Sequence, residues 1–139
     1  MSHTWTWRAE ATLPSKTNAH QPILDDLLAQ LAGHDYSAAD IHAVHLAVEE
    51  AMVNAVKHGN GLEPEKKVHV VCQVSNERVR VEIKDEGPGF DPNQVPDPTE
   101  DVNCGLPCGR GVMLMRNFMS MVEYNQAGNA VVMEKQRTR

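Results

Sequence analysis

The chain is poor in aromatic residues. Phe, Trp and Tyr together make up 4% of its 139 positions, so aliphatic and Met side chains have to fill any core. It has no run of about 18 apolar residues, the length needed to cross a bilayer, and no early apolar stretch resembling a signal peptide. The expectation is a cytoplasmic protein with no membrane partner. Basic residues are the minority, 13 against 19 acidic, for a net charge of −6. That argues against a general nucleic-acid surface, which needs clustered Lys and Arg. The three cysteines are an odd count, which makes a disulfide framework a poor reading. Repeats and low-complexity linkers are also missing. What remains is a 41% apolar chain of single-domain size, expected to be one domain over 1–139.

"TWTWRAEATL" alternates and reads as a strand that Pro14 ends. Ile23, Leu24, Leu27, Leu28 and Leu31 have helical spacing, and Gly33 is the expected stop. "SAAD" resembles a capping box, with Ser37 as N-cap and Asp40 in place of the usual Glu. It opens a helix of about twenty residues ending near His58-Gly59. "VHVVCQV" and "RVRVEIK" alternate and form a hairpin through "SNE". A Gly-, Pro- and Asp-rich loop follows from Glu86 to Cys108, then a helix over "GVMLMRNFMSMV" and a final hairpin around Ala127-Gly128-Asn129. Helices grouped on one side of a mixed, largely antiparallel sheet make a two-layer α+β sandwich.

Three stretches carry chemistry. On the long helix, Ile41, Val44, Val48, Met52 and Ala55 form an apolar stripe, while Glu50, Asn54 and His58 share another face. A carboxamide oxygen is a hard, neutral ligand suited to Mg²⁺, and a carboxylate one turn away can act as a general base. The plainer reading is a solvated helix face. Asp85 opens "DEGPGF" at a strand end, where Gly87 and Gly89 leave room for a flat ligand. Its carboxylate can accept from an exocyclic amine such as adenine's. The same letters also make an ordinary turn. Gly109 and Gly111 sit where a loop enters a helix, a place that can cradle phosphate, although a lone Gly-x-Gly is weak.

In this order the three stretches resemble the N, G1 and G2 boxes of the GHKL ATPase superfamily, which includes gyrase and histidine kinases. "EEAMVNAVKHG … DEGPGF … GRGVMLMRNFM" resembles more narrowly the anti-sigma factor serine kinases. The resemblance covers nearly the whole chain. It implies the Bergerat ATP-binding fold, ATP and Mg²⁺ as cofactors, Asn54 as the Mg²⁺-holding asparagine and Glu50 as the general base. It implies Asp85 as the adenine reader, with Gly87 and Gly89 beside the base. Gly109 and Gly111 become the phosphate-binding glycines, and 91–108 the ATP lid. It further implies a sigma factor and an anti-sigma factor antagonist as partners, and a homodimer. Two positions depart from the pattern. The Arg-Ser pair common before the G2 glycines is Pro107-Cys108 here, with Arg110 as a substitute cation. The Gly-Thr-Thr that often opens the final strand, whose Thr assists adenine binding, is Gly128-Asn129-Ala130. The alternative function is an ATP-responsive switch that sequesters a partner without kinase activity.

Other groupings admit a metal. His42, His45 and Glu49 lie near one helix face, and Cys104 and Cys108 are three residues apart in the lid. Cys72 alternates with valines and reads as core. Met113, Met115, Met119 and Met121 read as helix packing.

Overall fold

The computed structural model describes residues 5–61, 63, 65–87, 118–125 and 128–138. In order they form β1 (Trp7–Pro14), α1 (Gln21–Gly33), α2 (Ala38–Val53), a π-helical segment (Asn54–Gly59), β2 (Lys67–Val74), β3 (Arg78–Lys84), β4 (Met121–Tyr124) and β5 (Ala130–Gln136). The five strands make one sheet in the order β1-β2-β3-β5-β4. Every pairing among the described residues is antiparallel, in line with the largely antiparallel expectation.

Alternation decides which face is buried. Val68, Val70, Cys72 and Val74 of β2, Val79, Val81 and Ile83 of β3, and Val131 and Met133 of β5 point to one side and are buried. Residues in between, such as His69, Arg80 and Glu82, stay at least partly in water. Leu24, Leu27 and Leu31 of α1 and Val44, Ala47, Val48, Ala51 and Met52 of α2 close over the apolar face. The result is the two-layer α+β sandwich, and the lack of aromatics is met by branched aliphatics and Met. Cys72 is in this core, as its alternation suggested.

Both helix ends show sequence at work. Ser37 Oγ accepts the Asp40 N–H at 3.1 Å, the expected N-cap. α1 stops at Gly33, but glycine is not the left-handed residue. That is Asp35, with φ 61°. Tyr36 N–H reaches Leu31 O and Asp35 N–H reaches Ala32 O, a Schellman pair in which a short polar side chain tolerates the left-handed conformation.

Two expectations need correction. The second helix does not stay α-helical to His58-Gly59. The turn widens from Asn54 onward, and Asn60 N–H bonds Ala55 O, five residues back. The register of fours from Glu50 through Asn54 therefore does not extend to His58. The expected helix over "GVMLMRNFMSMV" cannot include its last residues, because Met121 and Val122 pair with Glu134 and Met133 as β4. Its stretch 111–117 lies outside the described residues, as does the proposed lid.

Candidate functional site

α2 presents three polar side chains near its C-terminal end, and they differ in what holds them. Glu49 is engaged. Its Oε2 lies 3.1 Å from His20 Nε2 and its Oε1 3.8 Å from His45 Nε2. The first contact is close enough for charge but not aligned as a hydrogen bond, so buried His20 Nε2 keeps no hydrogen-bond partner. Glu50, next in sequence, has no ion pair or hydrogen bond from its side chain among the described residues, and it is only partly buried. One turn on, Asn54 donates its backbone N–H to Glu50 O. Its carboxamide is buried, and Nδ2 has no partner within the protein. A buried amide left unpaired is costly unless something else meets it. It stands where the α-helical register gives way to the π turn, a distortion frequent at functional sites.

The opposite wall is the end of β3. Asp85 continues the buried row Val79, Val81, Ile83 and is itself buried. Its Oδ1 accepts the Gly87 N–H at 2.7 Å, closing a tight turn. Burial pushes the Asp85 carboxyl above its usual range. The Gly87 N–H and the charge of Lys66 pull only partly the other way. An acidic group kept in an apolar setting, with a lone pair to spare, suits a neutral hydrogen-bond donor on a ligand.

One residue that no motif marks joins the two walls. Asn60, almost fully buried, follows the π turn. Its Nδ2 donates to Ser15 Oγ at 2.8 Å and Lys67 O at 3.0 Å, and its Oδ1 accepts the Glu86 N–H at 2.7 Å. The end of the Asn54 segment is thus fixed to the turn that carries Asp85. The available signal was an Asn directly after His-Gly at a helix end, which only the tertiary contacts make meaningful.

Of the residues singled out from the sequence, Glu50, Asn54, Asp85 and Gly87 are described, and the Asn60 contacts bring their two segments together. Gly89, Gly109, Arg110 and Gly111 lie outside the described residues, as do Cys104, Pro107 and Cys108. The His42–His45–Glu49 grouping gains no metal-site geometry. Among the described residues no three His, Cys, Asp or Glu side chains converge to hold an ion. Cys72 is chemically quiet, since burial pushes its thiol up to about 12.

At the end of β3 Asp85 offers a carboxylate acceptor, and at the end of α2 the buried Asn54 nitrogen has no partner. The Asn54 oxygen is of the hard, neutral kind that suits Mg²⁺. The chain matches the histidine kinase-like ATPase domain over residues 13–135, and it belongs to that family. Its relatives are bacterial regulators. Anti-sigma F factor of Oceanobacillus iheyensis is 30% identical over 109 residues, covering 73% of each chain. Serine-protein kinase RsbW of Listeria innocua is 30% identical over 118 residues, covering 78% of this chain and 72% of that one. Among solved structures, the RsbU and RsbW domains of Rv1364c from Mycobacterium tuberculosis superpose with a TM-score of 0.62 at 18% identity, over 95% of this chain and 32% of that one. At that identity the likeness speaks for the fold alone. No described helix is long and apolar enough to cross a membrane.

Proposed function

We propose that the chain is an anti-sigma factor and an ATP- and Mg²⁺-dependent serine/threonine kinase. It binds a sigma factor and phosphorylates an antagonist protein, works in the cytoplasm, and assembles as a homodimer. The names of the relatives and the family match support this reading. The observation that carries the kinase half is the contrast between Glu49 and Glu50. Glu49 is held by two histidines, whereas Glu50 is unengaged among the described residues and sits one turn before Asn54.

The residues divide the work simply. Asp85 receives the base amine and Gly87 keeps the turn open. Gly89, Gly109, Arg110 and Gly111 are assigned to the base and phosphate ends by resemblance. Asn54 would hold Mg²⁺ through its side-chain oxygen, and the ion would neutralise phosphate charge. Glu50 accepts the proton of the substrate hydroxyl as its oxygen attacks the terminal phosphorus and the bond to the leaving nucleoside diphosphate breaks. Positioning and charge neutralisation supply most of the rate in such transfers, and a general base adds about 10²- to 10⁴-fold.

The test is single-turnover transfer from ATP to the cognate antagonist. Glu50→Gln is expected to slow it by about 10²- to 10⁴-fold while leaving ATP and sigma-factor binding intact. Glu49→Gln, rotated about 100° around the helix, should change it little. Equal rates in all three proteins would remove Glu50 as the base. No transfer by wild type, despite tight binding of ATP and partner, would favour the switch without kinase activity.

A further inference from the structure

Asn60 is 1% exposed, the lowest of any polar residue among those described, and every polar group it has is engaged. Its N–H closes the π turn on Ala55 O, and its own carbonyl accepts the Glu63 N–H at 3.1 Å. The side chain spends both amide hydrogens, on Ser15 Oγ and Lys67 O, and its oxygen meets the Glu86 N–H. A backbone carbonyl on one side and a backbone N–H on the other fix which terminal atom is nitrogen and which is oxygen. Aspartate has the same shape but no donor for Lys67 O, so the position calls for a carboxamide.

The partners of Asn60 are themselves linked. Ser15 Oγ donates to Lys66 O at 2.6 Å, and Glu86 Oε1 accepts the Lys67 N–H at 2.6 Å. Asn60, Lys67 and Glu86 thus form a closed ring of three hydrogen bonds. The shape of the Asp85 turn does not depend on that ring. Asp85 Oδ1 holds the Gly87 N–H, and the Asp85 N–H continues the β3–β5 ladder to Asn129 O at 2.9 Å. What the ring sets is where the turn stands relative to the segment that begins at Asn54. Among the described side chains, Asn60 alone is hydrogen-bonded across that gap.

We propose that Asn60 is a positioning residue that sets the spacing between the base end and the phosphate end of the nucleotide site. Its side chain bonds neither Asp85 nor Asn54. It makes them parts of one frame, so a ligand long enough to reach both ends gains the full advantage of joining two half-sites. This rests on the nucleotide reading above and adds to it the residue that fixes its geometry.

Adenosine and ATP with Mg²⁺ separate the two effects, because adenosine has the base and lacks the phosphates. Ligand-detected NMR titration reads both affinities, weak as well as tight. Asn60→Ala should bind ATP about tenfold more weakly than wild type and adenosine within about twofold of it. If that variant does not fold, Ser15→Ala decides. It removes one partner, leaves Lys67 O and the Glu86 N–H in place, and should weaken ATP about two- to threefold with adenosine spared. A residue that only keeps the turn in shape would weaken both ligands by the same factor, and that result overturns the proposal. So does an unchanged ATP affinity, or a wild type that binds ATP and no adenosine, since the site would then have no separate base end. Each of these leaves the nucleotide site standing. A wild type that binds neither ligand would bring down both.

Discussion

Asp85 ties binding to pH through its burial. A base amine is held best by an ionised acceptor, and protonation turns one carboxyl oxygen into a donor and leaves the other a weaker acceptor. Burial holds the Asp85 carboxyl above the ordinary value of 3.8, so ATP affinity should fall on mild acidification, before an exposed aspartate would respond. Stability without ligand should run the other way. A carboxyl raised in the folded state binds its proton more tightly there, so it favours folding at low pH, and that gain is lost as pH rises from 3.8 through the raised value. Calorimetric titration of ATP from neutral to mildly acidic pH, with Asp85→Asn subtracting the nucleotide's own titration, checks the first slope. A flat affinity would refute the role. Glu50, Asn54 and Asp85 could be singled out as candidates in the sequence because each sits at a fixed offset within one element. Asn60 could not, since its partners are spread over long separations, 45 residues in the case of Ser15.

Periodicity located the elements well wherever one register runs throughout. β2 and β3 alternate without interruption, and Ser37 caps α2 as its letters suggest. Reading failed where register changes. The π segment keeps its apolar residues, Ala55 and Val56, buried by adding one residue to the turn, and composition does not encode that. The Schellman pair at Asp35 was likewise hidden, because Gly33 carries the stronger letter. Among the described residues β1 is an edge strand that pairs only with β2, an edge of the kind that can take a second strand. The expected homodimer would use that edge. Sedimentation at about tens of micromolar, a range suited to a weak interface, should show dimers that a proline at Ala9 or Ala11 disrupts. A monomer throughout would eliminate this arrangement.

At the scale of the molecule, the last described residues grip the helical layer. Asp40, on the first turn of α2, accepts the Thr138 N–H at 2.9 Å and its hydroxyl at 2.8 Å, with Lys135 Nζ 3.8 Å away. Asp40, expected in a capping box with Ser37, gives its N–H to Ser37 Oγ and also serves as this anchor. Arg137 donates to His34 O and to Asn76 O and lies 4.5 Å over the Tyr36 ring. Burial works against the Asp40 charge, but the two Thr138 bonds and Lys135 outweigh it and hold its carboxyl below 3.8. Its stabilisation is therefore present above 3.8 and is lost as pH falls through the lowered value. Asp40→Asn should cost about 1.5–3 kcal/mol, the worth of a charged hydrogen bond, and flatten the acid limb of a denaturant-melting series. An unchanged acid limb would show that the anchor carries no linkage.

The sheet order also bears on how the chain comes into being. β5 lies between β3 and β4, not at an edge, and the Asp40–Thr138 contact spans 98 residues. A ribosome delivers that interior strand after the other four. Until it arrives, β3 has one open flank, the buried row of Val131 and Met133 is missing from under the helices, and α2 has no anchor. The nascent chain can form α1, α2 and the β2–β3 hairpin early, but the wall beside Asp85 has to wait for residues 130–136. Closing such distant pairs is slow compared with local turns. The wall beside Asp85 is therefore among the later described features to be completed, and a chain cut short before residue 130 would lack it however well its first half had folded.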